Sequence, residues 1–315
     1  MTVPGPAPTT AAAVPLASLT ATGPDLSAIV WGVWRSVGHP ATDTADKLAR
    51  VIELCVEQGI TSFDHADIYG GYRAETAFAE ALRLTSVPRE RIQLVSKCDI
   101  CLVSPARPEH RVRHYDTSAA HIRRSVDRSL ENLRTDHLDL LLIHRPDPLM
   151  DATETAQALD TLVTQGRIKA VGVSNHTPSQ LELLRSRLKA PLVTNQVECS
   201  VLHTQPILDG TLDQAQRLGF HPMIWSPQGG GRLFRPRDEE AGRLSSVLDE
   251  VGARIGLDRG QTALAWLATL PSRPIPVIGT SEPERIRACA ATASVRLERQ
   301  DWFEIYEASR GVPIP

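Results

Sequence analysis

Residues 138–175 read LDLLLIHRPDPLMDATETAQALDTLVTQGRIKAVGVSN, and this one stretch contains a complete strand–helix–strand unit. Leu138 to Ile143 is a nearly continuous apolar run, as expected of a strand covered on both faces in a parallel sheet. From Thr153 to Gln165 the apolar residues recur three and four apart, the period of a helix that buries one side. Gly166 stands where a left-handed residue ends helices, and Ala170 to Val173 is the next apolar run.

The same alternation extends in both directions. Further strands are predicted at Ala28 to Trp34, Thr61 to Asp64, Ile92 to Ser96, Val193 to Val197, Pro222 to Trp225 and Ile275 to Ile278. Helical periodicity marks Thr44 to Gln58, Thr117 to Leu133 and Ser179 to Arg187, with Thr153 and Ser179 as expected N-caps and Gly59 and Gly219 as stops. Eight such units predict an α/β fold, a (β/α)8 TIM barrel. An open doubly wound sheet would announce its nucleotide site by G-x-G-x-x-G after the first strand, and no such turn occurs there. Gln300 to Ser309 reads as one more helix across a barrel end. Residues 1–21, rich in Pro, Ala and Thr, read as a flexible N-terminal tail, and 22–315 as a single barrel domain.

Composition narrows the function. A net charge of −3 gives no electrostatic reason to expect nucleic acid as a partner, and no apolar run is long enough for a membrane span. The tail lacks the basic start and apolar run of a signal peptide. Five cysteines, an odd number set mostly among apolar residues, suit reduced thiols in a cytoplasmic protein. The expected partner is a small molecule, and the expected state a monomer or weak homo-oligomer.

Barrel enzymes carry their reactive groups just past the C-terminal ends of strands. There the chain places Asp64 and Tyr69 after strand two, Lys97 after strand three and His144 after strand four. Carbonyl reduction builds negative charge on oxygen, so an acid is needed beside it. Tyr69 suits that role, with Lys97 as a cation expected to lower the phenol's pKa and Asp64 as the carboxylate that makes a buried lysine tolerable. His144 would orient the substrate oxygen.

In type and strand position, these four resemble the catalytic tetrad of the aldo-keto reductase superfamily, from Val30 to the C-terminus. The words His65-Ala66-Asp67-Ile68-Tyr69-Gly70-Gly71-Tyr72, Leu142-Ile143-His144-Arg145-Pro146-Asp147-Pro148 and Gly229-Gly230-Gly231-Arg232-Leu233-Phe234 are similar to its bacterial YdhF-like oxidoreductase branch. The resemblance implies NADPH (NADP+) as cofactor, with NADH the alternative. It implies that Asn175 and Gln196 hold the nicotinamide carboxamide, that Trp225 stacks on the ring, and that the amides of Ser226 to Gly231, a stretch containing Pro227, Gly229 and Gly230, embrace the pyrophosphate, with Ser174 and Arg232 also at the cofactor. Gly279, Thr280 and Ser281 would meet the adenosine phosphate and Arg285 the 2′-phosphate. Gly32 and Trp34 would lie under the cofactor and beside the substrate.

Three departures stand out. Gly279 occupies a place where many relatives have lysine, Ala288-Cys289 one where many have Glu-Asn, and His65 one where threonine is usual. Cys98, Cys101, His110 and His114 invite a zinc reading, but their spacing is short for a finger. The Cys98 to Asp116 segment is expected to be a mobile lid or substrate loop with Arg107, Arg111 and Arg113 solvated. Trp266 and Leu267 are expected in the core. The rival from another class is a cofactor-sensing binding protein with slow turnover; a metal-dependent barrel hydrolase lacks the strand-end histidine cluster it would need.

Overall fold

The computed structural model describes residues 13–315. Among the described residues are twelve strands: β1 (Leu16–Ser18), β2 (Asp25–Ser27), β3 (Val30–Gly32), β4 (Ser62–Asp64), β5 (Gln93–Cys98), β6 (Ile100–Cys101), β7 (His114–Tyr115), β8 (Leu140–Ile143), β9 (Val171–Ser174), β10 (Leu192–Glu198), β11 (Met223–Trp225) and β12 (Ile275–Ile278). Eight of them, in the order β3-β4-β5-β8-β9-β10-β11-β12, close into a barrel with every neighbour parallel. Spatial order equals chain order, as short helical crossovers of one hand require. Each falls within two residues of a predicted strand at both ends, the first stopping short of the predicted Trp34. There the chain leaves the sheet after Gly32 and turns through a short 3-10 helix, Val33–Arg35, which puts Trp34 on the rim at 59% exposure.

Helices Ala45–Glu57, Ala119–Leu133, Ala152–Thr164 and Pro178–Arg185 pack outside the strands. Two start slightly earlier than expected, because better caps precede the predicted ones. Asp151 accepts from the amides of Thr153 and Glu154, and Thr177 forms a capping box with Gln180 while Pro178 fills the first helical position. Gly59, Gly166 and Gly219 all have left-handed φ. The last helix, Arg299–Arg310, is held by a stacked pair, Trp266 and Trp302, with ring centroids 5.1 Å apart. Each indole N–H donates to the other residue's carbonyl, so neither polar edge is left unmet in the interior. Trp266 and Leu267 are fully buried.

Inside the barrel, Val30, Val95, Leu140, Leu142, Val193, Met223 and Ile275 form a core that Leu19 and Leu26 complete from below. At Gly172 in β9 the walls come so close that a Cβ would lie 2.5 Å from Leu142 Cδ2 and 2.9 Å from the Thr194 carbonyl oxygen. Glycine is needed here for space.

Leu19 corrects the expected tail. Residues 1–12 lie outside the described residues, but β1 pairs antiparallel with β2, and the hairpin plugs the barrel with Leu19 and Leu26 at 0% exposure. The reading failed because a three-residue strand has too few positions to show a period, and its Pro and Thr neighbours read as loop. Leu19→Ala should therefore destabilise the protein by about 2–5 kcal/mol in chemical denaturation. A loss within ~0.5 kcal/mol would be that of a surface residue, and would show that the hairpin contributes little.

The Cys98 to Asp116 segment likewise departs from the expected mobile loop. β6 and β7 pair as a short antiparallel ladder, so its two ends are tied together. Arg111 and Arg113 are exposed, whereas Arg107 lies over the Tyr72 ring at 4.5 Å. Among the described residues, no helix is long and apolar enough to cross a membrane.

Candidate active site

β4, β5 and β8 are neighbours, with Asp64 opposite Val95 and Lys97 opposite Leu142. Their C-terminal ends therefore bring three functional groups to one mouth of the barrel. The Lys97 ammonium, 1% exposed, donates to both carboxylate oxygens of Asp64 at 2.8 and 2.7 Å and to the His65 carbonyl at 2.8 Å. It also faces the Tyr69 hydroxyl at 3.4 Å. The Tyr69 and His144 rings meet edge to face, centroids 5.9 Å apart.

Tyr69 sits on a tight turn followed by Gly70 and Gly71, both in the left-handed region. At Gly70 a Cβ would lie 2.7 Å from Val37 Cγ2, so both conformation and space call for glycine. The turn is thereby pressed against the loop after β3, and Tyr69 is fixed over Lys97.

The electrostatics differ in sign from the expectation for Tyr69. Burial pushes its phenol above the ordinary tyrosine value, and although Lys97 pulls it down, Asp64 pushes it up again. The sequence reading counted the cation alone; in the fold that cation is already matched by a carboxylate, and desolvation wins. Burial works against the Lys97 ammonium too, but there Asp64 prevails and the pKa is raised, so lysine remains charged. His144 is held well below its ordinary value by burial and by the nearby Lys97 and Arg145 charges, so its imidazole is neutral.

His65, the departure beside Asp64, turns its ring into the core. It packs edge to face on Phe78 at 4.6 Å, neither ring nitrogen finds a partner, and burial lowers its pKa to about 3. Toward Lys97 it presents only its carbonyl.

Two positions escaped the sequence reading. Asp99 is fully buried at φ +103°, and its Oδ2 accepts the Arg145 amide at 3.0 Å, bracing the chain next to His144. The guanidinium of Arg145 lies 5.8 Å from the centroid of Trp225. An isolated aspartate after a strand carries no sequence signal for such a strained bracing role.

At the ends of β9 to β12, the residues expected around the cofactor form a connected rim. Gln196 donates to Asp64 Oδ1 at 2.8 Å, linking this rim to the Asp64–Lys97 pair. Asn175, itself at φ +57°, accepts from the Trp225 indole at 3.0 Å and donates to Ser174 Oγ at 2.7 Å, which fixes the indole plane. Ser174 passes the chain on to the Gln196 carbonyl. An amide side chain has two donors and two acceptor sites, so Asn175 retains capacity for a carboxamide.

Ser226, Gly229, Gly230 and Gly231 all have positive φ, and a Cβ on Gly230 or Gly231 would meet little but open space. Such a turn suits a phosphate chain. However, the Gly229 and Gly231 amides already donate to Ser226 and Gln228, so fewer amides face outward than expected. Pro227 lies within the same turn. Arg232 also departs from expectation, because its guanidinium is paired with Asp238 and Glu240 at 2.9 and 3.2 Å.

After β12, the Thr280 carbonyl accepts from the Trp31 indole at 2.8 Å, Gly279 faces open space and Ser281 is buried. Pro283 opens helix Pro283–Ala290 as expected. Arg285 lies on that helix 5.6 Å from the Phe234 ring and makes no ion pair among the described residues, leaving it able to meet a phosphate. Gly32 and Trp34 stand at the end of β3 on the same rim. Amides, a fixed indole, a glycine turn and an unpaired guanidinium form a donor set that fits a nicotinamide dinucleotide.

Comparison with known proteins agrees with this chemistry. The model of the aldo/keto reductase family matches residues 28–310. Oxidoreductase YdhF of Escherichia coli is 47% identical over 93% of this chain and 97% of its own. A 6-dehydroglucose reductase of Agrobacterium fabrum is 45% identical over 91% of this chain and 95% of its own. Among solved structures, the thermostable aldo-keto reductase Tm1743, in complex with the inhibitor epalrestat, superimposes with a TM-score of 0.79 at 26% identity, covering 93% of this chain and 99% of that one.

Proposed function

This chain belongs to the aldo/keto reductase family, and from that membership we propose that it reduces a small aldehyde with NADPH, with Tyr69 supplying the proton. The coarser activity comes with the family and its oxidoreductase relatives: an NAD(P)H-dependent oxidoreductase acting on small carbonyl compounds.

One observation carries the assignment of the acid. Lys97 is only a hydrogen-bond donor, so the Tyr69 oxygen accepts from it and keeps its own hydrogen free for a carbonyl oxygen. Asp64 holds the ammonium in place. Neutral His144 offers one ring N–H to the same oxygen, fixing its direction without competing as an acid. When bound, the dinucleotide supplies the reducing electron pair to the carbonyl carbon. Asn175, Gln196 and Ser174 would hold the carboxamide, Trp225 would face the ring, and the turn from Ser226 to Gly231 would accommodate the pyrophosphate.

Arg285 is the basis for preferring NADPH, since its guanidinium, on the helix after β12, makes no ion pair among the described residues. With an A. fabrum relative named a 6-dehydroglucose reductase, we take the substrate to be a hydroxylated, sugar-like aldehyde. Arg145 and the exposed Trp34 indole at the mouth offer the donor and apolar face that such a molecule uses.

The test is oxidation of NADPH and of NADH with 6-dehydroglucose, simple aldehydes and ketones, for the wild type and Arg285→Ala. The expected result is turnover with NADPH, best on the sugar aldehyde, and a KM for NADPH raised about tenfold by the substitution with NADH little changed. Equal loss with both cofactors would remove the basis for the NADPH preference. Cofactor binding without turnover on any carbonyl would favour a sensor.

A further inference from the structure

Behind the turn that carries Tyr69 lies a cavity of about 260 Å³ that shares no residue with the catalytic four or the cofactor rim. It is enclosed by the β6–β7 hairpin, the helix Ala119–Leu133 and the start of the Asp67–Tyr72 turn. Its size is somewhat below that of pockets for drug-sized ligands, which points to a small occupant.

Charge identifies the occupant's chemistry. Arg107, Arg124 and Arg128 all reach the wall, and none is ion-paired among the described residues. Arg124 and Arg128 are one helical turn apart, so their side chains share a face. His110 and His114 stand beside them, rings edge to face at 5.4 Å. Their Nδ1 atoms lie 3.0 and 2.9 Å from the Leu102 and Val112 carbonyls, which can only accept. Each Nδ1 therefore carries hydrogen.

The carboxyl groups on the same wall are otherwise engaged. Asp116 accepts from the Ser118 amide and faces His121, Glu109 is exposed beside His110, and Asp67 is so desolvated that its carboxyl is pushed well above the ordinary range toward a neutral donor. A cation is disfavoured by three guanidiniums, and no group of three His, Cys, Asp or Glu among the described residues is arranged to hold a metal ion.

We propose that this cavity binds a small oxyanion, a phosphate ion or the phosphoryl group of a small ester. The three guanidiniums supply forked donors of the kind that match tetrahedral oxygens. The site also adjoins the catalytic turn, for Arg107 lies over Tyr72 and the Tyr72 hydroxyl accepts the Leu102 amide at 2.9 Å.

The test titrates inorganic phosphate, and separately glucose 6-phosphate, into the full chain by calorimetry. The proteins are wild type, Arg124→Ala/Arg128→Ala, Arg124→Lys/Arg128→Lys and Arg285→Ala. The expected result is one saturable phosphate site that the double alanine variant weakens at least about tenfold and the double lysine variant partly restores. Arg285→Ala leaves this site intact, which separates it from any phosphate bound on the cofactor rim. Tighter binding of the ester assigns the phosphoryl group of a metabolite, and equal binding assigns the free ion. No phosphate binding by the wild type, or binding undiminished in the folded double alanine variant, overturns the proposal. Both arginines are exposed on a helix, so unchanged circular dichroism is expected for these variants.

Discussion

Tyr69→Phe is expected to lower kcat/KM for carbonyl reduction by about 10²–10⁴-fold, the usual contribution of a positioned general acid. Among the described residues the phenol's oxygen makes one long hydrogen bond, 3.4 Å from Lys97, so removing it leaves the packed ring, the fold and the cofactor rim in place. Cofactor affinity and the denaturation midpoint should stay near the wild-type values. That combination marks an interaction made in the transition state, where a rise in KM alone would mark uniform binding. A loss below about tenfold would move the proton to another group.

The second large effect is expected from Lys97→Met. Asp64 is 3% exposed, and without the ammonium its carboxylate retains only the Gln196 amide as a charge-stabilising partner in the pair's immediate surroundings. Removing one member of such a buried pair costs about 3–5 kcal/mol. Because the lysine pKa in the fold is raised, the pair's stabilisation is complete below the ordinary lysine value and fades only as pH rises through the folded one, so the measurement at neutral pH reads it in full. Activity should fall with stability, as Tyr69 loses the group that takes up its oxygen's lone pair. Asp64→Leu/Lys97→Met discriminates the causes: its stability should recover most of the loss while turnover stays abolished. A double variant as unstable as the single one would show that packing, and not the stranded charge, sets the cost.

Much of this architecture is legible in the chain before any coordinates. Strands covered on both faces leave continuous apolar runs such as Leu140 to Ile143, and helices leave a regular period, so the eight units and their closure follow from pattern. The strand-end residues Asp64, Lys97 and His144 are visible for the same reason, since position along a barrel strand determines which end a side chain faces. What escaped depends on three-dimensional balance. The sign of the Tyr69 shift needs the depth of burial and the pairing of Lys97 with Asp64. Arg232 reads as a phosphate ligand until Asp238 and Glu240 are seen around it. The β1–β2 plug is too short for periodicity, and the bracing role of Asp99 rests on a left-handed backbone that an aspartate does not announce.

The most direct test of the central claim is the pH dependence of kcat/KM in both directions, aldehyde reduction and alcohol oxidation. With Tyr69 as the acid and its phenol above the ordinary value of about 10, reduction should stay level through neutral pH and fall only above that value, while oxidation, which needs the phenolate, should climb toward it. A reduction limb on the acid side of the ordinary histidine value that survives in Tyr69→Phe would contradict the account and place the transferred proton on His144, whose burial holds it there.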